Sequence, residues 1–331
     1  MTAGSVQLRQ GEHWGRRALG EGTSIILVIL AVLFVIFAAT QNDALSRSVL
    51  TDILNNSLPL ALAAAGGALV VITRGFDLSV AGVVSLTNVL VAVYAGDGVL
   101  GAAQGLAIAV ATGAVVGAVN GILVAYLNLQ SIALTLASMI VCSGAALVIL
   151  DAPGGNVSDF MVYGLTDQVA GVIPVALVIG AVVYGIWCLL KMTDWKIGLY
   201  AVGADETAAL LAGVPVRRVK LIAYILAGMC YGMAGFMLTA LTATGTPNAG
   251  DPYLLLVFAA IALGGTSFAG GRGGVAGPML GALTLTLLQK VLFSTGVSSF
   301  YTGIFQGVVM IVAVVIAAIS VRFSSRGDVR A

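Results

Sequence analysis

The sequence predicts an all-α membrane protein, a polytopic bundle of about ten transmembrane helices. Three observations predict it. Hydrophobic residues fill 60% of the 331 positions and charged residues only 9%, against roughly 25% charged in a soluble domain, so water cannot be the solvent on every side. Apolar stretches near the ~20 residues that cross a bilayer recur along the chain. The 43 glycines supply the close approach that helices need in lipid, where no hydrophobic drive pulls them together.

The elements follow in order. A polar head, 1–23, carries Arg9, Arg16 and Arg17 ahead of the first apolar stretch, 24–39. That pairing resembles a secretory signal, but Phe37-Ala38-Ala39-Thr40 is not a convincing cleavage site and further spans follow, so the stretch reads as an uncleaved first helix. Later stretches run 52–72, 78–95, 102–127, 132–150, 172–190, 220–241, 254–268, 275–293 and 302–321, giving a membrane domain of 24–321 and a tail of 322–331. The 254–268 stretch is the weakest, being short and running into glycines. Small-residue stripes mark helix crossings: Gly113-xxx-Gly117-xxx-Gly121, Gly228-xxx-Gly232, Gly277-xxx-Gly281 and the run Ala63-Ala64-Ala65-Gly66-Gly67.

Lysine and arginine concentrate in cytoplasmic loops. With the N-terminus inside, the inside loops hold Arg74, then Lys191, Lys196, Arg217, Arg218 and Lys220, then Arg272, and the tail adds Arg322, Arg326 and Arg330. The outside holds only Arg47 and, at a helix end, Lys290. Both termini are expected in the cytoplasm.

Composition also excludes classes of function. A net charge of +1 without a basic run gives no sign of a nucleic-acid partner. Cys142, Cys188 and Cys230 sit in apolar stretches and His13 is the only histidine, so neither a metal site nor a catalytic centre is expected. Ion-coupled transporters keep an ionisable group inside the membrane; here only Asp52 and Asp77 come near helix ends, which disfavours proton or sodium coupling. No Gly-x-x-x-x-Gly-Lys-Ser/Thr phosphate loop occurs in the chain, so any ATP and Mg would be bound by a partner subunit.

The longest inside loop, 193–219, is then the natural docking element. Its Ala204-Asp205-Glu206-Thr207-Ala208-Ala209-Leu210-Leu211-Ala212 run is helix-forming, with acids where the helix dipole favours them and Gly213 and Pro215 as stop signals. Such a helix either beds in a groove of a soluble partner or lies at the interface without one.

At this loop a resemblance becomes legible. Residues 193–219 resemble the cytoplasmic signature of the ribose-type branch of ABC importer permeases, related to the branched-chain amino acid permeases. Thr73-Arg74-Gly75-Phe76-Asp77-Leu78-Ser79-Val80 resembles that family's Gly-Gly-Ile-Asp-Leu-Ser-Val-Gly element. Asn120-Gly121-Ile122-Leu123-Val124, followed by Thr135-Leu136-Ala137-Ser138-Met139, resembles its Asn-Gly helix, and Gly264-Gly265-Thr266-Ser267-Phe268-Ala269-Gly270-Gly271-Arg272-Gly273 its glycine-rich element. The resemblance implies a type II importer permease in the cell inner (plasma) membrane. It also implies a coupling helix over 205–212, with Asp205, Glu206, Ala208, Ala209, Leu211 and Gly213 facing an ABC ATPase subunit. A second permease copy or paralogue and a periplasmic sugar-binding protein would complete the machine, and this chain would catalyse no covalent step. Arg74 and Phe76 depart from the pattern beside Asp77, as do Leu254 and Leu256 where many sugar permeases carry Glu and Asp.

Asp77 is the sharpest single residue, as a cap on a helix start or as a gate. Residues 75–86 and 270–281 share Val-Ala-Gly at matching offsets, with Arg272 opposite Asp77, hinting at an internal repeat. Sugars are read by hydrogen bonds, so neutral polar residues inside spans are the candidate pore lining: Asn55, Asn56, Asn88, Asn120, Gln289 and Gln306, with Gln104 beside them. Each either faces the path or bonds a neighbouring helix. The expected cargo is a monosaccharide; a nucleoside or a branched-chain amino acid stands as the alternative, and an autonomous facilitator or channel as the alternative of a different class.

Overall fold

The computed structural model describes residues 21–41 and 43–296, with a few isolated positions between 301 and 311. Residues 1–20, Gln306 with most of the expected 302–321 span, and the 322–331 tail lie outside the described residues. The helices are α1 Glu21–Thr40, α2 Arg47–Ile72, α3 Val80–Tyr94, α4 Gly98–Ala125, α5 Ser131–Ile149, α6 Val175–Leu190, α7 Asp194–Ala204, α8 Glu206–Leu211, α9 Val216–Thr242, α10 Tyr253–Leu263 and α11 Ala276–Ser294. A helix stands at every expected apolar stretch from 24–39 to 275–293. The 254–268 stretch stops early, at Leu263, because Gly264 and Gly265 turn the chain, Gly265 with φ +75°. By length and composition α2, α4, α5, α9 and α11 can each cross a membrane, while α6 and α7 qualify only as a pair, bent by 85°.

The core is built around α2. It is apolar on every side, buried without a break from Ser57 to Ile72, as a helix enclosed by others must be. It packs on α9, α11, α10 and α6, while α3 lies against α5 and α9. The small-residue stripes explain how these helices approach. A Cβ at Gly113 of α4 would run into the carbonyl of Gly228 on α9, and one at Gly228 into that of Gly113. Gly232 meets the Ala109 carbonyl in the same way, and Gly277 and Gly281 of α11 meet Gly264 and Ala260 of the α10 region. Backbones therefore touch at both crossings. Outward, the bundle is apolar: Val148 on α5 is 88% exposed, and Val115, Ile140 and Val182 are exposed too, a surface suited to lipid and not to water.

The two ends of the bundle differ. Over the N-terminal end of α2 lies a segment that hydropathy does not announce, with a π-helical turn, Phe160–Gly164, and an antiparallel ribbon pairing Gln168–Val169 with Ile173–Pro174. A bridge between Gly154 and Gly245 ties it to the chain after α9. At the C-terminal end of α2 gather α7, α8, residues 73–79 and residues 264–275.

Candidate functional site

The site sits at that second end. Helix α7 buries Leu199 and Val202 in a cluster with Ile72, Trp187, Val219 and Val275, which fixes it on the bundle. The helix expected over 204–212 is interrupted: Ala204 ends α7, and Asp205 takes extended backbone, φ −156° and ψ 111°. There its carboxylate accepts the Ala208 N–H at 2.9 Å and caps α8. The same residue thus stops one helix and starts the next. Gly213, at φ +83°, turns the chain out of α8, and Pro215 precedes α9. Glu206, the first residue of α8, pairs with Lys220 of α9 at 2.6 Å.

Only Ala209 of α8 is buried. Ala208, Leu210 and Leu211 point outward, Leu211 with 84% of its surface exposed. Clefts flank the helix on both sides. One, of about 480 Å3, is lined by Tyr126, Asn128, Glu206, Leu210 and Arg217. The other, of about 470 Å3, is lined by Trp195, Ile197, Gly213, Pro215 and Arg218. The capped helix thus holds two exposed leucines, Leu210 and Leu211, between clefts lined by Arg217 on one side and Arg218 on the other.

Behind the knob three backbones meet. Arg74, just past α2, has φ +63°, a conformation that costs an L-residue of order 1–3 kcal/mol. Its guanidinium donates from Nε to the Ala269 carbonyl at 2.7 Å and from Nη2 to the Ala204 carbonyl at 2.7 Å. The Gly271 N–H donates to the Ile72 carbonyl at 2.9 Å. Tyr200 of α7 donates its hydroxyl to the Gly273 carbonyl at 2.7 Å, and burial raises its phenol above the ordinary value, so it stays a donor. A Cβ at Gly203 would collide with the Ile72 carbonyl. Alongside, the Phe76 and Phe268 rings stack 5.9 Å apart. Sequence reasoning saw Arg74 only as an inside charge and as a departure from the family's glycine; that departure was the available signal, because glycine is the residue suited to this φ.

Asp77 is 2% exposed, deeper than its place between two helices suggests. Its Oδ1 accepts from the Ser79 N–H at 3.0 Å and the Ser79 hydroxyl at 2.5 Å, whereas Oδ2 has no hydrogen-bond partner. The chain of contacts continues: Asn120 of α4 donates to Ser79 Oγ at 3.1 Å and accepts from Ser138 of α5 at 2.5 Å. Arg272 is exposed and its side chain does not reach Asp77, so the matched positions of the suspected repeat occupy different environments.

The other polar candidates divide. Asn88 is fully enclosed, donating to Thr239 Oγ1 at 2.8 Å and accepting from the Thr246 N–H at 2.6 Å. Asn55 donates to the Thr166 carbonyl at 2.6 Å and leaves its Oδ1 unpartnered. Asn56 bonds back to Asp52, which also pairs with Lys290. Gln104 is exposed and accepts from the Gly96 N–H at 3.3 Å; Gln289 is half-buried on α11. The structure joins Asp77, Ser79 and Asn120 in one network and keeps Asn88, Asn55 and Asn56 in separate ones.

The family described as branched-chain amino acid transport system / permease component matches residues 49–314. The ribose import permease protein RbsC of Escherichia coli (strain K12) is 34% identical over 295 residues, 88% of this chain and 92% of that protein. RbsC of Bacillus subtilis (strain 168) is 34% identical over 301 residues, 89% of this chain and 90% of its own length. The L-arabinose transport system permease protein AraH of Escherichia coli (strain K12) is 32% identical over 303 residues, 88% of each chain. No solved structure matches.

Proposed function

Because this chain belongs to the family of branched-chain amino acid transport system permease components, we propose that it is the membrane-spanning subunit of an ATP-driven importer, forming the path for a monosaccharide handed over by a periplasmic binding protein. In this reading the chain crosses the inner membrane about ten times in the manner of a type II importer permease, with both termini in the cytoplasm. It pairs with a second copy or a paralogue. ATP and Mg bind a separate ATPase subunit, since the chain carries no phosphate loop. Its likeness to ribose and arabinose permeases supports a sugar as cargo.

The observation that carries the reading is α8. A helix of six residues is too short to hold itself in water, yet it is capped, turned by a glycine, ion-paired to α9 and left with its leucines outward. That arrangement presents a rigid knob to a soluble partner at the basic end of the bundle. Asp205, Glu206, Ala208, Leu211 and Gly213 shape or cover the knob, and Ala209 seats it.

Copurification tests the proposal. The chain should retain an ABC ATPase subunit through size exclusion, and Glu206→Ala and Gly213→Val should each release it. Unchanged retention and unchanged uptake in both variants would count against α8 as the contact. An autonomous facilitator would move solute down its gradient with no ATPase present. The family's description keeps an amino acid cargo in play. Thermal shift of the partner binding protein against monosaccharides, nucleosides and leucine decides among the cargoes.

A further inference from the structure

We propose that Arg74 is a positioning residue that ties the ATPase-docking knob to the glycine-rich segment 264–275, so that movement of α8 reaches α2 and the α10–α11 pair together. The inference rests on the reading of α8 as the docking element, and it adds the route by which that element acts on the membrane core.

Four observations support it. Arg74 stands in left-handed backbone, φ +63°, although it is not glycine. A residue held there is overdetermined by its surroundings, and here the surroundings are two carbonyls gripped by one guanidinium. Ala204 is the last residue of α7 and adjoins Asp205, the cap of α8. Ala269 lies in the loop between α10 and α11. A single planar fork therefore bridges segments 195 and 130 residues away in sequence from Arg74, which a lysine ammonium, compact and on a flexible stem, would hold less rigidly.

The packing around the fork makes the junction stiff. The Gly271 N–H bonds the Ile72 carbonyl, and the Tyr200 hydroxyl bonds the Gly273 carbonyl. Cβ atoms at Gly203 and Gly270 would strike the Ile72 carbonyl and the Arg74 side chain respectively. With backbones this close, the end of α7, the end of α2 and the glycine-rich loop shift as one body; interfaces packed this tightly transmit displacement and do not absorb it. Among the described residues, Arg74 is the side chain that grips two of the three segments of this junction while belonging to the third.

The discriminating variant is Arg74→Gly. Glycine accepts φ +63° without strain, so the fold loses the fork and gains a relaxed backbone. The assembled transporter, this chain with its ATPase subunit in lipid nanodiscs, is followed by amide hydrogen exchange, with and without ATP plus vanadate. In the wild-type complex nucleotide trapping should change exchange in 206–211 and in 264–274. In Arg74→Gly the change at 206–211 should persist and that at 264–274 should be lost, with the melting temperature of the complex unchanged; Arg74→Lys should give an intermediate response. An undiminished response at 264–274 in Arg74→Gly overturns the proposal. So does a complex that melts lower or fails to assemble, since Arg74 would then be a stabilising contact only. Absence of any nucleotide response at 206–211 in the wild-type complex removes the docking reading itself, a separate and recognisable failure.

Discussion

Asp77 places both of its hydrogen bonds on one oxygen, and that asymmetry sets what its replacement should do. Asparagine offers the same carbonyl oxygen to the Ser79 N–H and hydroxyl, so Asp77→Asn should keep the fold and hold uptake within about twofold of the parent. Asp77→Ala leaves those buried donors without an acceptor, at a cost of about 1–3 kcal/mol, read as a lowered melting temperature in detergent. Loss of uptake in Asp77→Asn with ATP hydrolysis intact would instead make this carboxyl a proton carrier, against the expectation of no coupling acid. Asp77 stood out in the sequence as an acid beside a helix start, but neither its depth nor Ser79 as the N-cap of α3 was legible there. Residues 73–79 read as a polar loop, and only the closing of α4, α5 and α9 over them, through Asn120, Thr135 and Tyr224, makes that loop interior. Asn88 and Asn120 were likewise visible as polar residues in apolar helices. Their partners, Thr239 and Ser138, lie on other helices and could not be paired from one strand of text.

Among the elements, the α4–α9 crossing depends on glycine most directly. Gly228→Leu would drive four carbons into the Gly113 backbone, and overpacking typically costs 1–3 kcal/mol, occasionally more. Backbone contact leaves no side chain to move aside, so the upper end of that range or loss of folded yield is expected. Gly185 on α6 is the matched control: a Cβ there meets nothing, and Gly185→Ala should be neutral or stabilise the helix by about 0.5–1 kcal/mol. Fluorescence-detected size exclusion with a temperature ramp separates the two variants. The places of the apolar helices were readable because hydropathy acts over some twenty residues at once. Features set by fewer residues escaped: the break at Asp205, which divides an apparently continuous helix, the early end of α10, and the π turn and ribbon over 150–174. Each depends on a local competition between cap, turn and packing that composition averages away.

At the scale of the molecule the question is where the driving force enters. Apolar helices line the outside, the positive charge gathers at the end that carries α8, and the only acid buried among the described residues, Asp77, takes both of its hydrogen bonds from Ser79. A proton relay of the usual kind passes from one Asp, Glu or His to the next along a path, and among the described residues no second buried carboxylate or histidine follows Asp77. On the proposed function, work arrives mechanically, through a knob held by a six-residue helix, and backbones that meet behind it would carry its motion to α2 and α11. Purified chain alone in liposomes should therefore fail to concentrate ribose or arabinose when given only a proton or sodium gradient. Adding the ATPase subunit and the binding protein, with ATP on the side of α8, should produce accumulation that stops with vanadate. Accumulation by the chain alone would mean that Asp77, or a residue outside the described part, couples an ion after all, and the mechanical route through α8 would lose its reason to exist.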